Sequence, residues 1–213
     1  MADFTAKRLT QAVVVEDSQD NLQANLANLQ KLAAAGKLSA LSFTGNDSSL
    51  QFNAAQINTS SALLSKAVAS GVTVKVADNA ANTARMASRI SSVFDVTVTD
   101  TAANVEKNLT SLQTLAITGK LDTLTFTDNA PALTLKASQF ATSSALRAKM
   151  SDVAITVSDN ATNVAKANVA DASAIVIKDS SANVLRNFEA MRTLAATGPE
   201  MTFTLTDRAP VMS

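Results

Sequence analysis

The 213-residue chain carries 18 basic and 18 acidic residues, so its formal charge at pH 7 is zero. It has no His, Cys, Trp or Tyr, which excludes disulfides, Ser-His and Cys-His nucleophiles, and thiolate or imidazole metal sites. Basic residues form no stripe along the sequence, so we expect no nucleic-acid partner.

The sequence pattern predicts alternating strands and helices. Residues 1–12 fit no repeat and are predicted to cap the first coil, while 208–213 form a C-terminal tail. The repeat domain between them is predicted to span 13–207. Its predicted strands are 13–17, 41–45, 50–52, 74–78, 96–100, 124–128, 133–135, 155–159, 175–179 and 203–207. Its predicted helices are 19–35, 54–69, 80–90, a long helix ending at 119, 137–150, 161–170 and a last helix ending at 197.

One unit recurs along this domain, as in DVTVTDTAANVEKNL at 95–109. Asp100 is predicted to be the N-cap of the helix that follows the strand. Asp17, Asp100 and Asp179 are 83 and 79 residues apart. Three unequal coils therefore form a superunit of about 80 residues.

Two apolar positions in each long strand predict one buried face. They are Val13, Leu41, Val74, Val96, Leu124, Ile155, Ile175 and Phe203, then Val15, Phe43, Val76, Val98, Phe126, Val157, Ile177 and Leu205. Parallel strands joined by helical crossovers then give an α/β solenoid of about eight strand-helix coils, with a single parallel sheet and helices on one face.

An Asp-x-x-x-Asn pattern follows five strands, at Asp17/Asn21, Asp78/Asn82, Asp100/Asn104, Asp159/Asn163 and Asp179/Asn183. One interpretation is structural: Asp caps the helix, and Asn satisfies the turn or links neighbouring coils. The other is a row of calcium sites, since both side chains offer oxygen ligands. Calcium is the one cofactor that the sequence suggests.

Threonines alternate with the buried residues and predict a face rich in hydroxyl and methyl groups. The main positions are Thr97, Thr99, Thr125, Thr127, Thr204 and Thr206. One interpretation is that these residues favour strand formation and keep an exposed face polar. The other is that the face packs on another protomer or on a ligand. It also resembles ice-binding faces, although Glu16, Lys75 and Lys178 interrupt it.

The two ends of the solenoid are predicted to expose an edge strand and part of the core. Val13 and Val15 lie at one end, and Phe203 and Leu205 at the other. Stacking of copies head to tail would bury both ends and produce a homo-oligomeric filament or lattice. Adequate capping in a monomer is the alternative.

The sequence predicts no enzyme. Asp122, Asp152 and Glu189 are isolated carboxylates, and the chain has no glycine-rich phosphate loop or nucleophile elbow. It has no apolar run long enough for a signal peptide or a membrane span.

The segments VTVTDTAANVEKNLTSLQTLAITGKLDTLTFTDNAPALTLKASQF and ITVSDNATNV resemble repeat modules of large secreted, surface-associated proteobacterial proteins. The similarity covers about residues 12–207 and combines the strand, the D-x-x-x-N turn and the GK helix end. It implies an extracellular or cell-surface, adhesin-like or surface-layer role, with export by a route such as type I secretion that needs no N-terminal signal peptide. A module that binds calcium or a cell-surface polysaccharide is the second hypothesis.

Overall fold

The computed structural model describes residues 9–196 and 198–207. The predicted tail and most of the predicted N-terminal cap lie outside these residues. The chain divides into two compact units, one formed by Met1–Thr99 with Thr110–Leu124 and the other by Asp100–Leu109 with Thr125–Ser213.

The described residues form an α/β fold of short strands and helices. The strands are β1 (Val13–Asp17), β2 (Leu38–Phe43), β3 (Ser49–Phe52), β4 (Thr73–Asp78), β5 (Phe94–Asp100), β6 (Leu121–Phe126), β7 (Ala132–Leu135), β8 (Ala154–Asp159), β9 (Ala174–Asp179) and β10 (Glu200–Leu205). The helices are α1 (Gln19–Ala24), α2 (Leu26–Ala34), α3 (Ala54–Thr59), α4 (Ser61–Ala69), α5 (Ala80–Met86), α6 (Ala102–Lys107), α7 (Leu109–Ile117), α8 (Ala137–Thr142), α9 (Ser144–Arg147), α10 (Ala161–Lys166), α11 (Ser181–Arg186) and α12 (Phe188–Ala195). None of these helices has the length and apolarity needed to cross a membrane.

The strands form three sheets, so the prediction of a single sheet is wrong. The sheet orders are β1-β2, β3-β4-β5-β6 and β10-β9-β8-β7. Pairing is parallel wherever the register is defined, including β4 with β5 and β8 with β9, as predicted. The break has a local cause: after β2 and β6 the chain makes a short turn and starts a second strand, β3 or β7, in a new sheet.

Neighbouring strands are staggered by two residues at their carboxyl ends. Asp159 of β8 lies opposite Ile177 of β9, and Asp179 of β9 lies opposite Leu205 of β10. Where two neighbouring strands both end in Asp, as β8 and β9 do, the later Asp therefore extends two residues beyond the earlier one. This offset places its side chain beside the start of the preceding helix.

The predicted apolar face is buried in the inner strands. Six residues of this face are 0% exposed, namely Val74, Val96, Val98, Val157, Ile175 and Ile177. The terminal strands differ, because β1 leaves Val13 and Val15 half-buried and β10 leaves Phe203 45% and Leu205 53% exposed. An apolar residue in a parallel sheet is buried only where helices cover its strand.

The long predicted helices are each broken in two. The breaks lie at Asn25, Ser60, Asn108, Ser143 and Asn187. The Asn25 side chain donates to the carbonyl of Asn21 at 2.7 Å, and Asn108 and Asn187 make the same bond to Asn104 and Asn183. This bond competes with the regular backbone hydrogen bonding of the helix.

Glycines end the helices where the sequence predicts. Gly36, Gly71 and Gly119 have φ values of 67°, 73° and 69°. At Gly36 the next amide, of Lys37, donates to the carbonyl of Leu32 at 2.8 Å, and the Gly36 amide donates to Ala33 at 3.0 Å. This is the Schellman arrangement, which requires a left-handed residue.

Replacement of Leu112 by Ala tests the buried stripe of α7. Leu112 is 0% exposed, so we expect the substitution to lower the free energy of unfolding by about 2 to 5 kcal/mol through lost burial and a residual cavity. Urea denaturation measures this loss. Thr110→Ala on the exposed face of the same helix is the control, and an equal loss in the control would contradict the assignment of the two faces.

Candidate functional site

The clearest repeated polar feature is the Asp at the end of a strand. The prediction that this Asp is the helix N-cap is wrong by one residue. The N-caps are Ser18, Asn79, Thr101, Asn160 and Ser180, and each side chain accepts from the backbone amide of the Asn three residues on. The Asp lies immediately before the N-cap and makes different bonds.

One carboxylate oxygen of each Asp organises its own turn. Asp159 Oδ1 accepts from the backbone amide of Asn160 at 2.8 Å and from Asn163 Nδ2 at 2.9 Å. The equivalent bonds form at Asp17, Asp78, Asp100 and Asp179, with distances between 2.6 and 2.9 Å. The Asn of the Asp-x-x-x-Asn pattern therefore orients the Asp within one coil.

The second carboxylate oxygen reaches the preceding coil. Asp179 Oδ2 accepts from the backbone amide of Ala161, the first residue of α10, at 3.1 Å. The same bond joins Asp159 to Ala137, Asp128 to Ala102 and Asp78 to Ala54 at 3.1, 2.6 and 2.9 Å, and Asp207 binds the Ser181 amide at 3.0 Å. We call this set the Asp bridges. The Asp of the Asp-x-x-x-Asn pattern, and not its Asn, makes this link between neighbouring coils.

The Asp bridges are interrupted at two places near the start of the chain. Gly45 occupies the position after β2 that corresponds to Asp128 after β6, so it offers no carboxylate to α1. Asp17 engages Ser18 and Asn21 through Oδ1, and its Oδ2 accepts no hydrogen bond from any residue in the described part of the chain. Asp17 therefore makes the bonds within its own turn and no Asp bridge to a described residue.

These hydrogen bonds favour the ionised carboxylate. The bond from Asn21 Nδ2, followed by that from the Ser18 amide, lowers the pKa of Asp17 below its ordinary value, and the bond from Asn183 does the same for the pKa of Asp179. Burial raises the pKa of Asp159, but bonds from Asn163, Asn160 and Ala137 outweigh this effect and lower it.

The calcium candidates Asp17, Asp78, Asp100, Asp159 and Asp179 lie in separate turns. Within residues 9–196 and 198–207, no group of three or more acidic side chains is placed to hold a metal ion. A calcium ion at an Asp bridge would have to compete with two hydrogen bonds at Oδ1 and one at Oδ2. The geometry favours the structural interpretation of the Asp-x-x-x-Asn pattern.

The threonine face is less regular than the sequence predicts. Thr99, Thr125, Thr127, Thr204 and Thr206 are exposed, and Thr97 is half-buried. The two-residue stagger places Thr97 opposite Ala77 of β4, and Thr204 opposite Lys178 of β9. The predicted hydroxyl columns are therefore interrupted between neighbouring strands.

The last coil (β9, α11, α12 and β10) exposes apolar residues beyond Phe203 and Leu205. Leu185 is 72% and Phe188 52% exposed. Leu185 and Phe188 are not among the residues predicted from the sequence, although comparison of repeat positions indicates an exposed apolar residue. Leu185 corresponds to Gln23, whose side-chain amide bonds the backbone of Gln51 in β3 at 2.9 and 2.8 Å.

The first coil (β1, α1 and α2) contains a groove of about 390 Å³ beside β1. Its apolar lining comes from Val13 and Val15 of the strand and from Leu22, Leu29 and Leu32 of the helices. Asp17 and Asn25 provide polar atoms at its rim. Val14 also lines the groove, and it is 58% exposed.

Substitution of Asp159 tests the Asp bridges. We expect Asp159→Ala to lower the free energy of unfolding by about 1 to 3 kcal/mol, since bonds to a charged acceptor are lost in two coils. Asp171→Ala, at an exposed carboxylate, should change it by less than about 0.5 kcal/mol. Urea unfolding of both variants makes the comparison, and equal losses would refute the bridging role.

Acid should weaken the same contacts. Folding lowers the pKa of Asp17, Asp159, Asp179 and Asp207, so their stabilisation is complete above the ordinary carboxyl pKa of about 4. It is lost as the pH falls through the lower pKa of the folded state. Urea midpoints measured from neutral pH downward should fall below about pH 4, with a smaller fall in Asp159→Asn. An unchanged dependence in that variant would contradict the assignment.

Three features of the described residues thus bear on function: the groove in the first coil, the Asp bridges and the exposed last coil. In comparisons with protein-family models, curated proteins and solved structures, nothing matches this chain.

Proposed function

We propose that this chain is a structural, self-assembling protein of the cell surface or extracellular space, a subunit of a filament, surface layer or adhesin-like array. In this proposal it forms a solenoid of about eight strand-helix coils and catalyses no reaction. The resemblance of its VTVTDTAANV-type segments to secreted repeat modules supports the location.

The observation that carries the proposal is the uncovered apolar surface of the last coil. Phe188 and Phe203 are 52% and 45% exposed, whereas Leu26 and Leu41, at the same repeat positions in the first unit, are 8% and 5% exposed. In that unit α4 packs against α2 and β2. Among the described residues, the last coil has the same apolar positions without such a cover, and exposed clusters of this kind mark association surfaces.

The first coil supplies the opposite end of the proposed assembly. Its strand β1 pairs only with β2, so its other edge is open among the described residues. An exposed edge strand next to an apolar groove is a template for further pairing. Two different open ends on one chain favour heterologous, head-to-tail contacts, which extend into filaments when they do not close into a ring.

A charged double substitution tests the role of the last coil. Light scattering and negative-stain microscopy of the purified chain should show ordered filaments or sheets that grow with concentration. Phe203→Lys with Leu205→Lys should raise the concentration needed by about tenfold or more, because charge replaces apolar contact at the interface. Thr193→Lys with Thr202→Lys, at exposed positions of α12 and β10, is the matched control.

Two results would overturn this proposal. A monomer at every concentration tested would refute self-assembly. Assembly that requires calcium and is reversed by chelator would favour the calcium-binding module instead, because the bonded Asp oxygens lead us to expect no effect of chelator.

A further inference from the structure

Each four-stranded sheet has at one end a short strand, β3 or β7, that pairs with a strand on one side only among the described residues. The other side of such a strand presents backbone amides and carbonyls from every second residue, and it is a template for pairing with another chain. In β3 these groups include those of Gln51. The carbonyl of Ser48 points the other way, toward β4, and accepts from the Thr73 amide at 2.9 Å.

The side chain of Gln23, in α1, supplies at the edge of β3 the hydrogen bonds that a neighbouring strand would make. The Gln51 amide donates to Gln23 Oε1 at 2.8 Å, and Gln23 Nε2 donates to the Gln51 carbonyl at 2.9 Å. The next outward amide, of Asn53, donates to Gln56 Oε1 at 2.8 Å. Because α1 packs against β3 and Leu22 of α1 is 2% exposed, Gln23 is held beside the edge by a buried anchor.

The edge of β7 is closed in the same way by α6, which packs against this strand. The Thr134 amide donates to Glu106 Oε1, and the Lys136 amide donates to Gln139 Oε1 at 2.8 Å. The helix residue and the strand residue are 28 positions apart at both edges. A carboxylate only accepts hydrogen bonds, so Glu106 offers no donor to the Thr134 carbonyl. The repeat therefore places a bonding side chain at both edges, with one bond fewer at β7.

A helix also lies beside the outer side of β2. The helix α4 packs against β2, and the Leu41 amide of β2 donates to the hydroxyl of Ser70 at 3.0 Å. Ser70 is the C-cap of α4. At three sheet edges, then, a helix packs where a further strand would lie, and a side chain of that helix or its cap accepts an outward amide.

We propose that Gln23 and Glu106 keep the edges of β3 and β7 closed to a strand from another copy of this chain. A strand added there would lie about 4.8 Å away, on the side where α1 or α6 packs. It would need the amides of Gln51 and Thr134, which are already bonded. The closure prevents sideways pairing of copies. It requires no assembly of the chain, so it is independent of the proposed function.

Sedimentation velocity of the double variant Gln23→Ala with Glu106→Ala tests this role, at concentrations where the unchanged chain is monomeric. We expect the double variant to dimerise at a concentration about tenfold or more below that at which the unchanged chain associates, because the freed amides find new partners only in water or in a second copy. Asp20→Ala with Lys107→Ala, at exposed positions of the same two helices, is the matched control and should remain monomeric.

Two further variants identify the edges as the pairing surface. Gln51→Pro with Thr134→Pro, added to the double variant, removes the freed N–H donors and should restore the monomer, since proline cannot pair at a strand edge. Glu106→Gln keeps the acceptor and adds a donor for the Thr134 carbonyl, so this single variant should remain monomeric. Dimers that persist after the proline substitutions would place the contact on another surface and overturn the inference.

Hydrogen exchange in the unchanged chain gives a readout that needs no variant to fold. The amides of Gln51 and Thr134 should exchange about tenfold or more slowly than unbonded amides, although their side chains are exposed. Rapid exchange at both amides would overturn the inference, and so would a folded double variant that is no more associated than its control. Pairing of the double variant in a chain that otherwise never self-assembles would sustain the inference while refuting the proposed function.

Discussion

The carboxylate that follows a strand and bonds the preceding coil is the contact on which the repeat depends. A parallel strand and its following helix leave unsatisfied amides at the helix N-terminus. In this chain the N-cap side chain satisfies one of them, and the Asp of the next coil satisfies another, as Asp179 does for Ala161. A single residue thus closes its own turn through Oδ1 and joins its coil to the preceding one through Oδ2.

The two-residue stagger makes this double role possible. If Asp159 lay directly opposite Asp179, each carboxylate would face its equivalent, and two negative charges would be adjacent. Instead Asp159 lies opposite Ile177, and Asp179 reaches the positive end of α10. Register, helix capping and coil-to-coil attachment are therefore one geometric arrangement, repeated wherever the strand ends in Asp.

Much of this arrangement could be predicted from the sequence, and the failures have physical causes. Alternation predicted a strand at each of the ten places, although β2, β6 and β10 begin three residues and end two residues before their predicted bounds. Gly36 and Gly119 identified the helix ends, because both signals act within a few residues. The division into three sheets depends on how the turns before Ser49 and Ala132 displace the chain, which periodicity does not encode. The predicted N-cap is wrong by one residue, because Asp100 and Thr101 are both favourable caps, and only the bond from the Asn104 backbone amide to Thr101 Oγ1 distinguishes their positions.

The same difference between local and distant contacts explains the exposure of the apolar residues in the first and last coils. Inner positions such as Ile175 and Leu41 are buried by neighbouring elements, whereas Val13 and Phe203 have the same chemistry without that neighbour. In this repeat a coil uses the next one to satisfy a helix amide and to cover its apolar face. The terminal coils have the same polar and apolar groups. Asp17 Oδ2, which accepts no bond from the described residues, and the exposed ring of Phe188 are two consequences of this rule, one in the first coil and one in the last. They connect the architecture of the fold to association with a further coil.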